Sequence, residues 1–234
     1  MTEKILVAGI MNCDRNFQIP QFIKSLKSLI NKNCKIACVD VGSIKDFRRF
    51  YRNAKGIDFM EFERKGSEQE AVAAAREHFR KKAIDEGYDW LLLVDQSIIL
   101  PEDFPERAIA TGRKVISGLY FETAQAATND RQIIRSYVPN LFSFSGKDEK
   151  KVDVRRFSFD DVLPARVLDA DMAELNAIML HRSILEKIVF IHQDRPMHAE
   201  IYFAYQCRKM NEKIAVDSSM VCRNNRTIVM DAFT

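Results

Sequence analysis

Acidic side chains stand where predicted strands end, which is where open α/β sheets bind their ligands. Asp40 lies at the end of one predicted strand, and Asp95 closes the strongly apolar strand Trp90–Asp95. A carboxylate in such a position can accept hydrogen bonds from a nucleobase or a ribose. Asp14, just past the first predicted strand, is a candidate for the same role on weaker grounds.

Two further charged residues lie on predicted helices. Arg76 falls in the helix predicted from Glu68 to Asp85, and a guanidinium group can bind phosphate oxygens with two parallel hydrogen bonds. A solvent-exposed helix arginine is the ordinary alternative. Glu200 falls in the first turn of a predicted helix. It could act as a catalytic base, or it could simply be an acid favoured there by the helix dipole.

The elements that must position these residues alternate between strands and helices in the N-terminal half. This β-α-β-α order predicts a mainly parallel sheet with right-handed crossovers. The predicted strands are Ile5–Ile10, Lys35–Val41, Ile57–Phe62, Trp90–Asp95 and Lys114–Tyr120. The predicted helices between and after them are Ile19–Ile30, Ile44–Asn53, Glu68–Asp85 and Pro101–Thr111.

The C-terminal half is less regular. Thr123–Phe159 is polar and mixed, which predicts hairpins or long loops. Helices are predicted over Arg182–Val189 and Glu200–Asn211, and a final strand over Lys213–Asp217. Because no clean linker interrupts the chain, we predict one domain over residues 1–234.

Composition excludes several classes of protein. The 234 residues are 47% hydrophobic and 29% charged with a net charge of +3, a globular balance that does not indicate a dedicated nucleic-acid binder. The five scattered cysteines favour reduced thiols in a cytoplasmic protein, and we expect no targeting or transmembrane segment. Without a glycine-rich phosphate loop, kinases and dehydrogenases are disfavoured.

Several segments, taken in order, resemble the motifs of family-2 glycosyltransferases. The matching segments are Asp40-Val41-Gly42-Ser43 with Asp46, Ala73-Ala74-Ala75-Arg76, Tyr88–Ser97 with Ile99–Asp103, Val115–Phe121, Asn176–Ile188, Ala199–Phe203 and Val216–Asn224. Each motif is loose, and the order and spacing across residues 4–226 carry the resemblance. It implies a GT-A (nucleotide-diphospho-sugar transferase) fold, a mixed, mainly parallel sheet flanked by helices.

The resemblance also implies roles for individual residues. Asp40 and Asp14 would contact the nucleoside, Arg76 the donor diphosphate, and Asp95 the metal or the donor ribose. Gly118 would allow close approach of a sugar. Glu200 falls where the family has its catalytic base. Residues 1–120 would form the nucleotide-sugar half, and residues 121–234 the acceptor half.

Three motif positions depart from the family pattern. Ser97 stands where the second acid of the Asp-x-Asp pair is expected, Ala199 replaces the usual glutamate, and Asn224 replaces a metal-binding histidine. Asp95, Ser97 and Asn224 would therefore form a weak site for Mn²⁺ or Mg²⁺.

The resemblance implies transfer of a sugar from a nucleotide-diphosphate donor to a glycan, lipid or protein hydroxyl, with inversion. A non-catalytic nucleotide- or glycan-binding protein on the same fold is the main alternative. A nucleotidyltransferase ranks last because the loop Met11–Phe17 has no glycine.

Overall fold

The computed structural model describes residues 3–11, 18–30, 33–42, 54–62, 66–127, 133–145, 153–191 and 198–225. The helices in these ranges are α1 Ile19–Lys27, α2 Glu68–Asp85, α3 Phe104–Ala110, α4 Arg182–Leu185 and α5 Ala199–Lys209. The strands are β1 Ile5–Met11, β2 Cys34–Asp40, β3 Ile57–Glu61, β4 Trp90–Asp95, β5 Ile98–Ile99, β6 Val115–Ser117, β7 Phe121–Ala127, β8 Ile133–Pro139, β9 Leu141–Ser145, β10 Asp153–Arg156, β11 Val167–Ala170, β12 Met172–Ala173, β13 Ala177–His181, β14 Ile214–Asp217 and β15 Arg223–Asn224.

An eight-stranded sheet forms the centre of the fold, in the order β11-β14-β6-β13-β4-β1-β2-β3. Strands β1 to β4 pair in parallel, and so do β6 and β14. Strand β13 is antiparallel to both β4 and β6, so β6 and β14 run in the same direction as β4. The carboxyl ends of β1, β2, β4, β6 and β14 therefore lie along one edge, which we call the carboxyl edge. The predicted mixed, mainly parallel sheet flanked by helices is confirmed.

Alternate residues of the central strands face two separate apolar layers. Leu91 and Leu93 of β4 point into one layer, whereas Trp90, Leu92 and Val94 point into the other. Helix α2 covers the first layer and helix α1 covers the second. Burial on both faces explains why the β4 sequence is a continuous apolar run rather than an alternating one.

Helix α2 begins and ends where local chemistry dictates. Ser67 caps it, because its side chain accepts the Glu70 amide while the Glu70 carboxylate accepts the Ser67 amide at 2.6 Å. Gly87, with a φ of +73°, follows its C-terminal end. Small side chains and Phe79 are buried along one face of the helix, which lets its backbone approach the sheet. Arg76 is carried on this helix.

The C-terminal half departs most from the predicted elements. The region Thr123–Phe159 contains the antiparallel pairs β7–β8 and β9–β10, which agrees with the predicted hairpins. The predicted strand over 114–120 is shorter, since only Val115–Ser117 forms a strand before Leu119 bridges to Val221. The predicted helix over 182–189 ends at Leu185. The predicted helix Ile44–Asn53 lies outside the described residues.

Within the described residues, no helix combines the length and the apolar character that crossing a membrane would require.

Candidate functional site at the carboxyl edge

Asp40 and Asp95 lie on either side of β1 at the carboxyl edge. Asp40 pairs with Met11 and Asp95 with Ile10, so the two acids end strands separated by a single strand. Two inter-strand spacings put their Cα atoms about 10 Å apart. The register puts Asp40 on the same face of the sheet as Met11 and Asp95 on the same face as Ile10, so the two side chains leave opposite faces, and a ligand that contacts both must lie across the end of β1.

Each of these acids closes a tight turn with the backbone two residues on. The Gly42 amide donates to Asp40 Oδ1 at 3.1 Å, and the Ser97 amide donates to Asp95 Oδ1 at 2.9 Å. The Ser97 hydroxyl also donates to Asp95 Oδ1. Such turns are common for aspartate, so the turn itself is no evidence of a ligand. What distinguishes these two acids is that their strands, β2 and β4, lie on either side of β1 at the carboxyl edge.

Asp217, at the end of β14, makes the same kind of turn with Ser219. The Ser219 amide and hydroxyl donate to its Oδ1 at 2.9 and 2.6 Å, and Arg107 donates to its Oδ2 at 2.8 Å. This pair reproduces the local geometry of Asp95 and Ser97 elsewhere on the carboxyl edge. A substitution at Asp217 therefore tests what the turn alone contributes, without changing Asp95.

Arg76 is buried beneath the edge rather than exposed on its helix. Its Nη1 lies 3.6 Å from Glu200 Oε1, and its Nη2 donates to the Leu175 carbonyl at 3.3 Å. Burial lowers the pKa of Arg76, and the negative charges of Glu200 and Asp95 oppose that shift. Its Nε is buried and has no hydrogen-bond partner among the residues that the structure describes. The solvent-exposed alternative for Arg76 is thus wrong.

Glu200 lies in the first turn of α5, with its side chain 31% exposed. Through Arg76, the structure brings Glu200 close to Asp95, although 105 positions separate the two acids along the chain. We call Asp40, Asp95, Arg76 and Glu200 the strand-end site. Two of these residues lie at strand ends and two lie on helices, as the sequence predicted.

Ser97 and Asn224 lie next to each other at one border of this site. Strand β15 pairs with β5, which places Asn224 opposite Ile98, and the Asn225 amide donates to the Ser97 carbonyl at 2.7 Å. The Asn224 side-chain amide donates to the Phe121 carbonyl at 3.3 Å. Within the described ranges, no group of three or more His, Cys, Asp or Glu side chains could hold a metal. A metal role for Asp95, Ser97 and Asn224 stays a prediction.

Gly118 lies in a packed environment at the end of β6. A Cβ atom there would meet Cys222 Sγ at 2.7 Å, Ala177 Cβ at 3.1 Å and Phe104 Cε2 at 3.2 Å. Protein side chains therefore fill the space that the missing side chain leaves, and packing alone accounts for the glycine. Contact between Gly118 and a donor sugar stays a prediction. Asp14 lies outside the described residues.

The structure also shows a second charged cluster that sequence reasoning missed. Glu122, at the start of β7, and Glu174, just before β13, both contact Arg156 on β10. The Tyr120 hydroxyl and the Asn176 side-chain amide each donate to Glu174 Oε2 at 3.1 Å. We call these five residues the Glu174 cluster. Two strands and two connecting segments supply its members, so no local sequence motif indicates the cluster.

Tyr120 is fully buried in this cluster, so it does not present its face to a ligand. Burial raises the pKa of Tyr120, and the carboxylates of Glu174 and Glu122 raise it further. Tyr120 is therefore part of the core. The sequence signal for the cluster is an acid, Glu174, two positions before the apolar segment Asn176–Leu180.

No protein-family model matches the chain, and no curated protein matches it in sequence. Among solved structures, the chain is similar to TarS of S. aureus, residues 1–349, with a TM-score of 0.51 and 15% identity over 94% of this chain. This chain spans 59% of that TarS chain. The protein A197 from STIV aligns over 99% of this chain and 98% of its own, with a TM-score of 0.45 and 13% identity.

At this identity, the likeness to TarS shows the fold alone. The protein has a mixed α/β fold of the GT-A type, as the resemblance in the sequence implied.

Proposed function

We propose that the protein is a glycosyltransferase that moves a sugar from a nucleotide-diphosphate donor to an acceptor hydroxyl, with inversion. The observation that carries this proposal is the strand-end site, in which Asp95, Arg76 and Glu200 converge at the carboxyl edge of a GT-A-type sheet. Open α/β sheets bind nucleotides at this edge. The likeness in fold to TarS, a glycosyltransferase, supports the same class.

On the donor side, each residue has a distinct task in the proposal. Asp40 accepts hydrogen bonds from the nucleoside, together with Asp14 if that residue reaches the same ligand. Arg76 carries a buried positive charge, and its Nε has no hydrogen-bond partner among the described residues. The negative charge of Asp95 lies close enough to raise the pKa of Arg76. Arg76 offsets the negative charge that develops on the leaving diphosphate.

The residues around Asp95 fit a divalent cation weakly. Carboxylate, hydroxyl and amide oxygens are ligands that Mg²⁺ and Mn²⁺ accept, and Asp95, Ser97 and Asn224 would supply one of each. A bound cation would neutralise charge on the diphosphate. Asp95 Oδ1 already accepts two hydrogen bonds from Ser97, which reduces what it can offer to a metal.

On the acceptor side, a carboxylate must take the hydroxyl proton while the oxygen attacks the anomeric carbon. Glu200 is the candidate that the sequence indicates. The acceptor is a glycan, lipid or protein hydroxyl bound by the half of the chain after residue 120.

Calorimetry with UDP and GDP, each with and without Mn²⁺, tests the donor site directly. We expect one nucleotide to bind, more tightly with the metal, and we expect Asp95→Asn to remove the metal dependence. A panel of nucleotide sugars then tests for turnover. Absence of nucleotide binding under every condition would contradict the proposal.

A non-catalytic binding protein on the same fold is the second candidate. The observation that favours it is the internal pairing of the site, since Ser97 donates to Asp95 and Arg76 pairs with Glu200. Nucleotide binding without turnover of any nucleotide sugar would decide for this candidate.

A further inference from the structure

The Glu174 cluster brings two carboxylates to one guanidinium. Arg156 Nη2 lies 3.2 Å from Glu122 Oε2 and 3.4 Å from Glu174 Oε1. The three side chains come from positions 122, 156 and 174, on elements that meet only in the folded chain. The tertiary structure therefore fixes the arrangement, and local turn geometry does not explain it.

The carboxyl groups of Glu122 and Glu174 lie near each other, and Glu122 raises the pKa of Glu174. Two ionised carboxylates can only accept hydrogen bonds, so no hydrogen bond joins them unless one of the two takes up a proton. With both acids ionised, the single positive charge of Arg156 would face two negative charges in a partly buried place. One proton on the pair removes that imbalance.

The remaining contacts hold Glu174 in place. Its Oε2 accepts from the Tyr120 hydroxyl and from the Asn176 side chain, and its backbone amide donates to the Asn140 carbonyl at 3.3 Å. Burial raises the pKa of Glu174 to about 7, Glu122 adds to the shift, and Tyr120 and Arg156 oppose it. A general base works best when it titrates near the working pH.

Glu174 is tied to the strand-end site through its own chain segment. The next residue, Leu175, offers its carbonyl to Arg76 at 3.3 Å, and the Asn176 carbonyl accepts the Asp95 amide at 2.8 Å. The Glu174 side chain keeps 22% of its surface exposed, so a ligand at the carboxyl edge can reach it.

Glu200 is placed differently. Its carboxylate pairs with the buried Arg76, whose positive charge would be left without that partner if Glu200 took up a proton. Holding Arg76 is thus a sufficient reason for an acid at this position.

We propose that Glu174 is the catalytic base of the site, and that Glu200 is a positioning residue for Arg76. This inference rests on the proposed transferase function. The acceptor hydroxyl gives its proton to the Glu174 carboxylate as its oxygen bonds to the anomeric carbon. The bond from that carbon to the diphosphate oxygen breaks, and its electron pair leaves with the nucleotide. Glu122 raises the pKa of Glu174 towards the working pH, and Arg156 contacts and orients both acids.

A carbon-13 NMR titration of glutamate-labelled protein tests the pair without any substrate. We expect carboxyl resonances that titrate near pH 7 in the wild type and disappear in Glu174→Gln. Glu122→Gln should move the remaining Glu174 resonance. The matched control is Glu212→Gln, since Glu212 is a similarly exposed acid paired with Lys114 at 3.1 Å away from the cluster. A spectrum in which every glutamate titrates below pH 5.5 would overturn the inference.

Rates measured between pH 5 and 9, with whichever nucleotide sugar turns over, test the catalytic role. We expect wild-type kcat to rise as pH rises through about 7, and Glu174→Gln to lose about 100-fold or more together with that rise. Glu200→Gln should keep the pH dependence and raise the KM for the donor. The inference is overturned if Glu200→Gln abolishes the rise while Glu174→Gln retains it. Nucleotide binding without turnover would instead overturn the transferase proposal. The NMR titration would still show whether Glu174 titrates near pH 7.

Discussion

The strand-end site and the Glu174 cluster lie close together but differ in how much of each the local sequence determines. Asp40 and Asp95 of the strand-end site each close a turn with the residue two positions on, so the local sequence shapes their surroundings, although Arg76 and Glu200 meet only in the folded chain. The Glu174 cluster depends on contacts between residues 18 to 54 positions apart. Residues of the first kind can be recognised in a sequence by their motifs, whereas the second kind becomes visible only in the folded chain.

The largest effect that separates the two regions is expected from Asp95→Asn. The amide oxygen keeps the hydrogen bond from the Ser97 amide, so the turn should survive and only the charge is lost. We expect donor turnover to fall by about 100-fold or more, equivalent to about 2.7 kcal/mol in the transition state. Turnover of nucleotide sugars and thermal unfolding of the same preparation are the measurements.

Asp217→Asn is the matched control for this change. Asp217 makes the same turn with Ser219 at another strand end, so both variants alter an equivalent turn. We expect turnover to stay within about twofold of the wild type. Equal losses of turnover in the two variants would mean that the turn matters and the position of Asp95 does not.

The next largest effect concerns stability and the Glu174 cluster. Because the folded-state pKa of Glu174 is raised to about 7, the folded protein holds a proton that the unfolded chain releases at lower pH. The resulting stabilisation is complete below pH 4.5 and is lost as pH rises to about 7. The predicted loss is on the order of 3 kcal/mol as an upper value, since each pKa unit corresponds to about 1.4 kcal/mol.

Urea unfolding at pH 5 and at pH 8 measures this loss. Glu174→Gln should unfold with nearly the same free energy at both pH values, because its amide does not titrate. An unchanged pH dependence in this variant would assign the loss to another group.

These two regions also show how much of the fold and of the candidate site the sequence predicts. The sequence alone predicts Asp40, Asp95, Arg76 and Glu200 as candidate site residues, because strand ends and helix positions are local features. The apolar run Trp90–Asp95 predicted the central strand for the same reason. The antiparallel insertion of β13 between β4 and β6 was not predicted, since strand pairing is a long-range property.

The cluster was missed for that same reason. Glu122 and Arg156 lie in a segment whose polar, mixed composition predicted only hairpins or loops. Both residues become part of a cluster only because Glu174 lies beside them. The pairing of β9 with β10 and with β12 brings Arg156 and Glu174 together. Gly118 shows the reverse case: a sequence motif predicts a ligand contact, which stays a prediction, while packing against Cys222 is already a sufficient reason for the glycine.

Gly118→Ala tests that packing and should have a smaller effect than the changes above. Its Cβ would stand 2.7 Å from Cys222 Sγ, so neighbouring groups must shift. We expect a loss of about 1–3 kcal/mol in the free energy of unfolding, as for other overpacked cores. In the double variant with Cys222→Ala, part of this loss should be recovered. If Gly118→Ala unfolds like the wild type but fails to bind nucleotide, the glycine serves the ligand.

The smallest predicted effect concerns the helix that carries Arg76 to the site. Ser67→Ala removes the side chain that accepts the Glu70 amide at 3.3 Å, and with it half of the capping box of α2. The expected loss is about 1 kcal/mol of unfolding free energy, measured by urea denaturation. The cap lies nine positions before Arg76, more than two helical turns away, so nucleotide affinity should stay unchanged. A drop in affinity without a matching loss of stability would show that the helix start, and not only the buried arginine, shapes the strand-end site.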